Sequence, residues 1–93
     1  MRKAFFGSLC YEGIRGGAIT IEEGKVCYRS KVLTLPEEYR DIQMPVGEIE
    51  HIEKGNLFVF PIVTILMNSG KSYKFVVFAR KKFLACLEQL GIK

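Results

Sequence analysis

Nine glycines, at positions 7, 13, 16, 17, 24, 47, 55, 70 and 91, cut this chain of 93 residues into short pieces, and their spacing constrains its class more than any other feature. Glycine weakens helix interiors and supplies the backbone angles that tight turns demand. Breaks this frequent suit strands joined by turns rather than long helices.

Between the breaks the pattern alternates as strands do. Residues 4–11 are read as a first strand, although their alternation is poor. Residues 18–21 set Ile19 and Ile21 on one face. After Glu22-Glu23-Gly24, residues 25–30 set Val26 and Tyr28 opposite Cys27 and Arg29, which makes a hairpin. Residues 33–38, with Pro36 and two glutamates, read as a loop. Residues 39–45 and 48–54 read as two further strands, the second closed by Gly55-Asn56. The clearest hairpin joins residues 59–67 to 72–78 through Asn68-Ser69-Gly70. Its first arm is apolar on both faces, as in a strand covered on both sides.

The period changes after Phe78. Phe83, Leu84, Leu87 and Leu90 recur at three- and four-residue spacing, which predicts an amphipathic helix of about three turns ending at Gly91. Arg80, Lys81 and Lys82 open it, at the end where the helix dipole disfavours cations. Hydrophobic residues are 48% of the chain, with seven Phe, four Tyr and no Trp, enough for one core without metal or disulfide. The expected architecture is a single domain over residues 1–93. It is mainly β, with about seven antiparallel strands and a C-terminal helix whose apolar stripe closes one open end of the sheet.

Three stretches, in this order, resemble the GRAM and pleckstrin-homology-like (PH-like) family. Residues 17–28 are similar to its glycine, strand, polar turn, strand-to-aromatic hairpin. Met44-Pro-Val-Gly-Glu-Ile-Glu-His-Ile-Glu-Lys54 is similar to its I-P-L-x-D-I-x-x-V-E-K segment. Gly70-Lys-Ser-Tyr-Lys-Phe-Val-Val-Phe-Ala-Arg80 is similar to its G-K-x-Y-x-F-V-V-x-x-R strand before the last helix. Glu22 departs from the pattern, which often has Thr at that turn. The resemblance implies a PH-like β-barrel of two near-orthogonal sheets capped by the helix. It also implies a binding or scaffolding role at membranes or with protein partners.

Catalytic signatures such as Gly-x-Ser-x-Gly, a Walker loop, His-Glu-x-x-His or a dinucleotide fingerprint do not occur, so no enzyme and no cofactor is expected. His51, beside Glu50, reads as a surface histidine, and no metal-ligand spacing surrounds it. Cys10, Cys27 and Cys86 are odd in number and far apart; they read as reduced thiols of a cytoplasmic protein, Cys27 as a buried one. Residues 13–17 read as a tight turn, since no helix follows to hold a phosphate. The N-terminal apolar stretch is too short for a signal peptide, and the longest apolar run too short to span a bilayer as a helix.

Two surfaces remain as candidates. In the PH-like arrangement the loops after the first, third and sixth strands lie together, opposite the helix, and hold or border Arg15, Arg29, Lys31 and Lys71. Those four could bind anionic membrane lipid, placing a cytoplasmic protein at the membrane periphery. Alternatively the apolar stretch Leu57, Phe58, Phe60 and Val63, with the sheet edges, could bind a protein partner or a second copy, without lipid binding. The aromatics Tyr73, Phe75 and Phe78 among Lys71, Lys74, Arg80, Lys81 and Lys82 are by alternation mostly committed to the core, which argues against nucleic acid.

Overall fold

The protein is described from a computed structural model covering residues 3–11, 13–22 and 24–91. Seven strands form: β1 (Lys3–Cys10), β2 (Ile14–Glu22), β3 (Lys25–Arg29), β4 (Asp41–Pro45), β5 (Ile49–Leu57), β6 (Phe60–Met67) and β7 (Ser72–Val77). A single helical turn, α1 (Glu37–Arg40), precedes β4, and α2 (Arg80–Gln89) ends the fold. The helix stops where expected, with Gly91 at φ 87° and its N–H donating to the Glu88 carbonyl.

All seven strands belong to one antiparallel sheet in the order β4-β3-β2-β1-β7-β6-β5. This corrects the barrel of two near-orthogonal sheets. The strand β1 pairs along its whole length with β2, from Lys3–Ile21 to Cys10–Ile14. It also pairs Gly7, Ser8 and Leu9 with Val77, Val76 and Phe75 of β7, so the two meanders are continuous. The sheet is not closed, because among the described residues no ladder joins β4 to β5. Between them, after Pro45, the chain makes a 3₁₀ turn, Val46–Glu48. Its polar groups go elsewhere: Val46 N–H donates to the Gly24 carbonyl and Glu48 O accepts from Asn68 N–H, each at 2.8 Å. Alternation reveals strands but not which of them pair.

The open sheet is nevertheless tightly curled. Tyr28 on β3 and Phe75 on β7 are separated by two strands, which on a flat sheet would put them roughly 14 Å apart. Their ring centroids are 5.2 Å apart. The concave side thus encloses one core containing Leu9, Ile19, Val26, Tyr28, Met44, Val63, Ile65 and Phe75. Phe83 and Leu87 of α2 enter the same core, with Phe83 set edge-on to Phe5 at 5.3 Å. Leu84 is half-buried against it and Leu90 is 39% exposed, so three of the four predicted residues form the plug.

Three boundaries differ from expectation for local reasons. Residues 13–17 are not a turn: Gly16 and Gly17 lie inside β2, and Gly13, at φ 117°, is the turn glycine. A Cβ on Gly17 would stand 2.5 Å from the Arg29 carbonyl oxygen and 2.7 Å from the Tyr28 ring, so that glycine admits a close approach. The strand read at residues 39–45 begins as the α1 turn. Gly55-Asn56 does not close β5, which runs on to Leu57.

Candidate functional site

The structure brings the loops carrying the four predicted cations to one region, where Arg15 and Arg29 are engaged separately by different groups. Tyr11, beside the β1–β2 turn, stacks on Tyr39 of the β3–β4 connection at 4.5 Å. Arg15 Nε donates to the Tyr11 carbonyl at 3.0 Å, which ties that turn down. Arg29 stands 3.8 Å from Asp41 on the neighbouring strand, and Lys71 lines a small cavity with Glu38 and Tyr39. Lys31 is exposed beyond the end of β3. Acids beside Arg29 and Lys71 weaken the field that an anion would meet.

His51 is exposed, its Nε2 3.9 Å from Glu53 Oε1. Burial pushes the Cys10 and Cys27 thiols above their ordinary pKa, with Lys74 partly opposing at Cys10. Cys27, fully buried, lies away from the main core beneath a face where Lys25 meets Gln43 and Arg29 meets Asp41. Thiols held protonated in this way are poor nucleophiles. Among the described residues, no cluster of three His, Cys, Asp or Glu side chains could hold a metal ion. No helix among them is long and apolar enough to cross a membrane.

The outer, convex side of the sheet carries the more informative surface. Along β6 and β7 the core residues alternate with Phe60, Ile62, Val76 and then Phe78. Ile62 and Val76 pair across the strands and are nearly inaccessible despite facing away from the core. Phe60 and Phe78 meet edge-on at 6.0 Å, and Leu57 pairs with Phe60. The β1–β7 register, continued one step, brings Phe6 to the same row as Phe78. Phe6 is 87% exposed and Phe78 67%. Beside this row a groove of about 670 Å³ opens, lined among others by Ile14, Glu53, Lys54, Leu57, Ile62 and Lys74.

The row runs out to the β5–β6 hairpin tip, where Phe58 and Val59 are 91% and 88% exposed. Phe58 has φ 55° and is the one non-glycine residue with left-handed backbone among those described. The first position of a two-residue hairpin turn normally takes Gly, Asn or Asp there. An exposed aromatic in that conformation gains nothing for the fold. Phe58→Asn should therefore raise stability by about 0.5–1 kcal/mol, read as a higher denaturant midpoint. A lower midpoint would show that the ring is packed.

Of the predicted interface residues, Leu57, Phe58 and Phe60 lie on this surface. Val63 does not: its strand parity points it into the core, where it is fully buried. Val59 lies within the predicted stretch from Leu57 to Val63, whereas Phe6 and Phe78 were missed. The signal for Phe6 was the doublet Phe5-Phe6, since two adjacent strand residues cannot both face one core.

Charge is distributed unevenly around the tip. Residues 1–53 hold seven cations and nine acids, a net charge of −2, whereas residues 54–93 hold seven cations and one acid, a net charge of +6. No Asp or Glu occurs from Lys54 to Leu87. Arg80 also accounts for one cation of the basic helix start. Its guanidinium donates to the Gly55 carbonyl at 2.6 Å and to Asn56 Oδ1 at 3.2 Å, which ties α2 to the hairpin.

No protein-family model matches this sequence, and no curated protein matches it. The structure resembles the C-terminal domain of an unknown protein from Leishmania infantum, with a TM-score of 0.77 at 13% identity, covering 94% of this chain and 79% of that one. The likeness shows a shared fold and carries no function.

Proposed function

We propose that this chain is a non-catalytic docking module that works through the apolar outer face of its sheet. The observation that supports this most is the row from exposed Phe6 and Phe78 through half-buried Phe60 to the exposed Phe58-Val59 tip, left open although the same chain buries a core on the other face. Monomeric proteins rarely leave a contiguous apolar surface uncovered unless something binds there. The predicted lipid site at Arg15, Arg29, Lys31 and Lys71 gives way in this reading to a surface where apolar contact comes first. Arg15 and Arg29 held by neighbouring groups, and the acids beside Arg29 and Lys71, suit a solvated end of the domain.

The reading is tested without knowing the partner, by retention on a phenyl column and by sedimentation velocity. The native protein should be retained, while Phe6→Ser/Phe78→Ser and Phe58→Ser/Val59→Ser should elute earlier with little change in unfolding midpoint. Equal retention of all three proteins would mean that the face is covered by the chain itself, and the reading fails. A dimer that the first pair of substitutions abolishes would support the docking face with a second copy as its occupant.

A further inference from the structure

The row of exposed apolar residues ends in a convex point, and a convex point suits a different occupant from a flat patch. Residues 57–63 contain no polar side chain, and the two most exposed, Phe58 and Val59, lie beyond the last strand pair of the hairpin. Lys54 lies four residues back along β5, roughly 13 Å from Phe58 at strand rise. Lys81 and Lys82 follow Arg80, whose bonds to Gly55 and Asn56 fix the start of α2 against the hairpin, with Lys82 on the side of the helix beside Lys3 and Phe5. An apolar point with cations set back from it suits a bilayer surface, where headgroups overlie the acyl chains.

We infer that the occupant of the tip is an anionic lipid bilayer, into which Phe58 and Val59 insert while Lys54, Lys81 and Lys82 remain among the headgroups. The inference rests on the docking reading above and names its partner. Charge argues against a second copy at this position: two tips facing one another would bring Lys54, Lys81 and Lys82 of one copy toward the same cations of the other. It argues for a lipid surface, whose negative potential attracts cations held near it. A bilayer also accepts a protruding aromatic side chain without a preformed pocket. Arg80 acts as a positioning residue, because its hydrogen bonds hold the hairpin at a fixed attitude to the helix.

The absence of tryptophan makes the test direct, since Phe58→Trp introduces a single reporter. The probes are vesicles of phosphatidylcholine alone, and of phosphatidylcholine with about one-third phosphatidylserine, at low and high salt. The expected result is a blue shift of the introduced indole's emission on the anionic vesicles at low salt, with quenching by bromines placed high on the acyl chains. Phosphatidylcholine alone should give neither. Lys81→Glu/Lys82→Glu should weaken vesicle binding at least tenfold, given about one factor of five per cation near the surface, and Val59→Ser should weaken it several-fold. A Val59→Trp reporter repeats the measurement if the first variant folds poorly. Emission unchanged on anionic vesicles at low salt, for both reporters, overturns the inference. In that case phenyl-column retention that still depends on Phe58 and Val59 leaves the docking face standing with a protein occupant. A shift on both vesicle types alike would also overturn it, since charge would then play no part.

Discussion

Phe83→Ala lowers the unfolding free energy by about 3–5 kcal/mol, a large share of the roughly 5–14 kcal/mol that a chain of this length has in total. The size of the effect follows from position. Phe83 is fully buried, sits edge-on to Phe5 and is one of only two helix residues in the main core. Removing the ring opens a cavity at the point where α2 meets the curled sheet. The β-ladders constrain the cavity walls on the sheet side, which limits collapse. Leu90→Ala is the internal comparison. That side chain belongs to the same sequence stripe but is 39% exposed, so its loss should cost under about 1 kcal/mol. Equilibrium urea unfolding of both variants gives the answer. Similar shifts would mean that the helix is seated differently on the sheet.

The second large effect concerns two adjacent glycines. Gly17→Ala should destabilise by about 2–3 kcal/mol, at the upper end of the overpacking range, whereas Gly16→Ala should lie within about 0.5 kcal/mol of the native protein. A methyl group on Gly17 meets the Arg29 carbonyl oxygen at 2.5 Å and two Tyr28 ring carbons at 2.7 and 2.8 Å. Neither neighbour can yield cheaply. The carbonyl belongs to the β2–β3 ladder, and the Tyr28 hydroxyl donates to the Arg15 carbonyl at 2.7 Å. A methyl group on Gly16 meets nothing within 4 Å. Urea midpoints for the two variants should differ clearly; equal midpoints would show that Tyr28 can swing aside.

Periodicity alone located most of the elements and little of their arrangement. The period-2 runs around Gly24 and Gly70 and the 3.6-period stripe of α2 were readable because each element has one wet and one dry side. The Gly16-Gly17 pair was misread because glycine marks both turns and close approaches, and only the neighbouring strand tells them apart. The end of β5 was misread for a related reason. Gly55-Asn56 has the chemistry of a turn, yet Asn56 pairs with Pro61 inside the ladder and Phe58-Val59 makes the bend. That choice spends an aromatic residue where Asn or Gly would be easier. The predicted interface was found in part because residues 57–63 are conspicuously apolar. Phe78 joined it through its contact with Phe60, and Phe6 only through the pairing of β1 with β7, strands far apart in sequence that no local pattern brings together. The choice among cations had the same limit: residue type gave charge, and the pairing partners decided which charges were already answered.

The three-pair seam between β1 and β7 also governs the order in which the molecule can come into being. On a ribosome, β1 emerges before the other six strands of the sheet and β7 after them, so the β1–β4 meander can form while Gly7, Ser8 and Leu9 still have an unanswered edge. That edge must wait until β7 has been made, and a late, distant pairing makes for slow maturation. Until it closes, the nascent protein exposes an open strand beside apolar side chains, the combination that invites pairing with another chain. The residues that complete the sheet are thus also the ones that end its most vulnerable interval.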